Sequence, residues 1–128
     1  VGCGGRRVNL FVYGTLMGGA PQGALLAGLR RSPATVRGRL YAMPAGYPAL
    51  VLGGAARVSG ELVQGVDPNR LVVLDRYEGV DDGLYERVQV EVDVGLERVS
   101  AEAYVMDHPE RRGGRLVADG RWRRVARR

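Results

Sequence analysis

At 128 residues, 45% of them hydrophobic, the chain suits one domain built on one core and leaves no room for a second. A single cysteine excludes an intramolecular disulfide and, with the one histidine, leaves too few soft ligands for a zinc site, so metal catalysis is disfavoured. The net charge is +5, and no apolar run approaches the roughly 20 residues that cross a bilayer or forms a signal-peptide core, so the expectation is a soluble, cytoplasmic protein.

Val8 to Tyr13 is predicted to be a buried strand, being short, rich in β-formers and ended at once by Gly14. Gln22 to Leu29 suits a short helix, with Gly28 and the Arg30-Arg31 pair near its end, where cations complement exposed carbonyls. Ala34 to Met43, Ala49 to Leu52 and Val58 to Val66 alternate as strands, punctuated by Pro44, Gly46, Pro48 and the Gly53-Gly54 pair. Asp67-Pro68 opens a helix that should run to Glu78, since Asp accepts from the free N–H groups of a first turn and Pro fits its first position. Tyr85 to Val94 has period two, with Val88, Val90, Val92 and Val94 on one face and Arg87, Gln89, Glu91 and Asp93 on the other. Gly95 then turns the chain into Arg98 to Met106, and mostly loop is expected beyond Pro109.

The charge is concentrated in that last stretch. Residues 111–128 hold eight Arg and one Asp, whereas residues 1–110 carry more acids than bases. Every basic residue is Arg and Ile is absent, which fits compositional bias better than a designed phosphate-binding face. An Arg-Gly-Gly-Arg run could contact nucleic acid nonspecifically, but Trp122 is its only aromatic neighbour, and a nucleic-acid partner is disfavoured.

Two local patterns bear on chemistry. On the second helix, Leu71, Leu74 and Glu78 follow at i, i+3 and i+7, which puts a carboxylate on the apolar stripe. Desolvation there would raise its pKa toward the range useful to an acid or base at neutral pH; the competing explanation is a helix end where the stripe meets solvent or Arg87 holds Glu78 in an ordinary ion pair. After the first strand, Tyr13-Gly14-Thr15-Leu16 allows a sharp turn that leaves consecutive N–H groups facing an anion. It is neither a Walker loop, since the chain has no Lys, nor a dinucleotide fingerprint. Asp81-Asp82 and the Glu91, Asp93 pair are expected on solvated surface, and His108 has no assigned role.

Taken in order, Tyr13-Gly14-Thr15-Leu16, Leu74-Asp75-Arg76-Tyr77-Glu78-Gly79 and Tyr85-Glu86-Arg87 closely resemble the gamma-glutamylcyclotransferase-like family, over about Leu10 to Met106. The resemblance implies an α+β fold, a largely antiparallel, barrel-like sheet with a few packed helices, in a single domain whose Arg-rich tail begins near residue 111. It also implies release of 5-oxoproline from a gamma-glutamyl amine or peptide without a cofactor, with Glu78 as the catalytic acid/base. Tyr13, Gly14, Thr15 and Leu16 would bind the alpha-amino-acid end of the substrate, and Tyr85 and Tyr104 match pocket tyrosines. Tyr47-Pro48-Ala49 is similar to a family segment near the pocket. Gly120-Arg121-Trp122 is similar to a Gly-x-Trp of small bacterial members, with Arg121 where an acid is usual. The alternative is a noncatalytic ligand-binding domain on the same fold.

Overall fold

The computed structural model describes residues 6–14 and 23–122, so Thr15, Leu16 and Gln22 lie outside the described residues. β1 (Val8–Val12) is central. It runs antiparallel to β3 (Pro48–Val66) and parallel to β5 (Glu97–Val105), with Leu10 opposite Val63 on one side and Glu102 on the other. A strand covered on both faces needs a continuous apolar run, and Leu10, Phe11 and Val12 are all buried.

β2 (Arg31–Ala42) and β3 form a long antiparallel ribbon from Arg31 opposite Val63 to Ala42 opposite Pro48. Sequence reasoning divides β3 into two strands at Gly53-Gly54. The chain instead stays in the ribbon: the register jumps from Arg37–Arg57 to Gly38–Leu52, and residues 53–56 bulge out with both glycines at positive φ. β4 (Glu86–Val94) and β5 make a hairpin turned by Gly95 and Leu96. β6 (Arg115–Val117), in a stretch where mostly loop is expected, pairs with β2. The strand order is β3-β1-β5-β4-β2-β6, and the added β3–β2 pairing brings five strands back on themselves in a barrel-like sheet.

All five contribute to one core cluster, which includes Phe11, Val36, Val58, Val90 and Ala103. The alternate residues of β1, Leu10 and Val12, face a second cluster with Leu71 and Leu74 of the only α-helix among the described residues, α1 (Pro68–Tyr77). The fold is therefore α+β, as expected, with one α-helix and two short 3-10 turns, Gly23–Leu26 and Pro109–Arg112, among the described residues. Arg31 closes the first of these turns by donating to the Gly23 carbonyl at 2.9 Å.

The limits of α1 follow from its caps. Asp67 accepts from the Arg70 N–H at 3.3 Å, and Pro68 occupies the first turn. At the other end Gly79 takes φ of 69°, its N–H bonds the Arg76 carbonyl at 3.1 Å, and the Val80 N–H bonds the Asp75 carbonyl at 3.0 Å. This is a Schellman arrangement, in which glycine supplies the left-handed residue, and it places Glu78 at the C-cap. Asp81 and Asp82 are exposed in the turn that follows, as expected. Asp93, by contrast, is partly buried between Arg57 and Arg98, and only Glu91 of that pair stands in the open, where Ser100 donates to it.

Candidate active site

A cleft of about 240 Å³ opens where the ends of these elements meet. Phe11, Val12, Tyr13 and Gly14 line it from the end of β1, and Tyr47 and Pro48 from the β2–β3 turn. Tyr77 and Glu78 come from the end of α1, Leu84 and Tyr85 from the approach to β4, and Tyr104 from β5. Five of the six tyrosines in the sequence gather here.

Glu78 is partly buried, and its carboxylate has no hydrogen-bond or ion-pair partner among the described residues. Burial pushes its pKa up to about 7. Its place at a helix C-terminus acts in the same direction, because the exposed carbonyls there disfavour an anion. The ion pair with Arg87 does not form. Arg87 instead grips Asp75 through Nε at 2.9 Å and Nη2 at 3.2 Å and reaches Glu102 with Nη1.

Three of the five tyrosine hydroxyls are turned into the walls. Tyr13 donates to the Tyr104 carbonyl at 2.6 Å, Tyr85 to the Pro48 carbonyl, and Tyr104 to Asp75 Oδ1 at 2.6 Å. Burial is the main cause that raises all three phenol pKa values, and the nearby Glu78 charge adds to each. Tyr85 and Tyr104, expected to offer hydroxyls to a substrate, thus give it ring surface and lone pairs while their protons bond the protein. Gly14 is required by close approach: a Cβ there would overlap the Pro48 ring.

The structure therefore brings Tyr13, Gly14, Glu78, Tyr85 and Tyr104 to one cleft, while Thr15 and Leu16 lie outside the described residues. Tyr47 and Pro48 also belong to it, whereas His108 is exposed with a contact to Asp107 at 3.6 Å. Sequence reasoning missed Asp75, Arg87 and Glu102 as a group beneath the cleft. Asp75 carried a signal, since at three residues before Glu78 it shares that side of α1. Among the described residues no three His, Cys, Asp or Glu are grouped to hold a metal, and no helix is long and apolar enough to cross a membrane.

The sequence profile of the family described as "Gamma-glutamyl cyclotransferase, AIG2-like" matches residues 10–124. The chain is 29% identical to AIG2-like protein D of Arabidopsis thaliana, over 76% of this chain and 66% of that protein. Its fold is similar to that of YkqA from Bacillus subtilis, with a TM-score of 0.73 and 24% identity over 91% of this chain and 39% of the other. An AIG2-like protein of Mus musculus superimposes with a TM-score of 0.70 and 22% identity over 83% of this chain and 82% of its own. The chain belongs to the gamma-glutamyl cyclotransferase, AIG2-like family. It spans just under two thirds of the Arabidopsis relative and well under half of the Bacillus protein.

Proposed function

We propose that the chain is a gamma-glutamylcyclotransferase-type enzyme that converts a gamma-glutamyl amine or peptide to 5-oxoproline and a free amine, with Glu78 as general acid and base. The single observation that carries this reading is Glu78 itself: a carboxylate without a partner among the described residues, on the wall of an aromatic cleft, poised by burial at a pKa of about 7. A group with that pKa both takes and returns a proton at neutral pH.

In the proposed reaction the substrate's alpha-nitrogen attacks its own gamma-carbonyl, so that one C–N bond forms and the bond to the leaving amine breaks. Two protons leave the alpha-nitrogen and two arrive on the departing one, and Glu78 carries them in turn. It first takes a proton from the alpha-ammonium, because only the neutral amine is nucleophilic, and gives it to the leaving nitrogen as the tetrahedral intermediate collapses. The cleft's part is to hold nucleophile and carbonyl in a near-attack pose. By the family resemblance, backbone N–H groups near Gly14 to Leu16 are assigned the substrate carboxylate. The chemistry calls for no cofactor.

The test is 5-oxoproline release from a panel of gamma-glutamyl amines and peptides by the full chain. Glu78→Gln is expected to lower turnover by about 10²- to 10⁴-fold with the fold unchanged by circular dichroism. Binding without turnover in both forms would instead identify a noncatalytic ligand-binding domain.

A further inference from the structure

Of the five tyrosines that line the cleft, Tyr13, Tyr85 and Tyr104 have their single hydroxyl proton committed elsewhere, to the Tyr104 carbonyl, the Pro48 carbonyl and Asp75. A phenol has one proton and two lone pairs, so these oxygens can offer a ligand only acceptors. Ionised Glu78 is an acceptor as well, and no Arg is among the described residues that line the cleft. Such a surface favours a ligand group that is cationic and rich in N–H bonds.

Of these acceptors, Tyr104 is the one whose orientation depends on a charged side chain. Ionised Asp75 has no proton to give, so the 2.6 Å bond between them runs one way, from the phenol to the carboxylate. A charged acceptor draws that proton more strongly than a carbonyl and leaves the phenol oxygen richer in electron density. Asp75 is in turn immobilised by the two-pronged grip of Arg87, which Glu102 holds from β5. The clamp ties α1 to the β4–β5 hairpin.

We propose that Asp75 is a positioning residue that fixes the Tyr104 oxygen as an obligate acceptor for the alpha-ammonium of the substrate. The identity of the ligand rests on the cyclotransferase reading; the ammonium preference and its dependence on Asp75 do not. Asp75→Ala would leave the phenol without this acceptor, freeing its proton to point into the cleft and repel an ammonium there.

Two unreactive probes test this by calorimetry on the full chain: L-norleucine, which carries an alpha-ammonium, and hexanoate, which lacks it. Wild-type protein is expected to prefer norleucine. Asp75→Ala and Tyr104→Phe should each weaken norleucine by about tenfold, as for loss of a hydrogen bond to a charged group, and leave hexanoate nearly unchanged. The double variant should lose no more than Tyr104→Phe alone, because Asp75 acts through that hydroxyl. Additive losses, an equal loss for hexanoate, or no norleucine preference in the wild type would overturn the proposal. Tyr104→Phe removes only the hydroxyl, so an unchanged norleucine affinity in that variant overturns it even where Asp75→Ala does not fold. Selectivity that follows this pattern in a protein releasing no 5-oxoproline would retain the positioning role and sink the enzyme reading; additive losses in an active enzyme would do the reverse.

Discussion

Glu78 couples the chemistry of the cleft to the pH dependence of the protein. Activity that needs its ionised form is expected to rise as pH passes through about 7, and a pH–rate profile of the full chain on a gamma-glutamyl amine checks it. The same pKa bears on stability. The folded protein keeps this proton up to pH about 7, whereas the unfolded chain releases it near the ordinary value of 4.5. Stability associated with Glu78 is therefore complete below about 4.5 and is lost as the pH rises to 7. Glu78→Gln, which carries no charge, should be more stable than wild type at pH 8, on the order of 2 kcal/mol, and the difference should vanish near pH 4. Denaturant titrations at the two pH values measure it. A second residue-scale expectation concerns Gly14: Gly14→Ala pushes a methyl into the Pro48 ring, and Pro48 also holds the Tyr85 hydroxyl. Ligand affinity in the cleft should fall more than global stability, as read by calorimetry alongside thermal unfolding.

At the scale of elements, α1 shows how much local chemistry can specify. Its start was legible in Asp67-Pro68 and its end in Glu78-Gly79, because caps depend on neighbours within a turn. Its inward face was legible in Leu71 and Leu74, and that spacing alone put Glu78 near the sheet. Asp67→Ala is expected to cost about 1 kcal/mol and Leu74→Ala, at a fully buried position, about 2–5 kcal/mol, both measured by urea unfolding. The partners of the same helix were not legible. Asp75, Arg87 and Glu102 come from three elements, and the pairing of Arg87 with Asp75 rather than Glu78 is decided by how the hairpin docks on the helix. Gly53-Gly54 misled in a related way. The pair is ordinary turn chemistry by sequence, and only the pairing of β2 on both sides of it keeps the chain in one strand.

Across the whole molecule, the sheet order places distant segments side by side, and no local pattern encodes that. The parallel contact of β1 with β5 and the return of β3 to β2 are long-range choices, whereas the alternation of β4 announced itself. The basic C-terminal stretch changes character for the same reason. β6 pairs with β2, the Gly120 carbonyl accepts from the Ser59 N–H at 2.8 Å, and Trp122 packs on the core. A chain ended at residue 110 is thus expected to lose about 2 kcal/mol or more of stability, seen as a lower denaturation midpoint, instead of merely shedding charge. The bond from the Tyr13 hydroxyl to the Tyr104 carbonyl spans 91 positions of sequence. During translation, Tyr13 leaves the ribosome long before Tyr104 is made, so a nascent chain already carrying Glu78 still has no cleft around it. A cleft able to hold a ligand would then arrive late in synthesis, and a stalled or prematurely ended product would lack one.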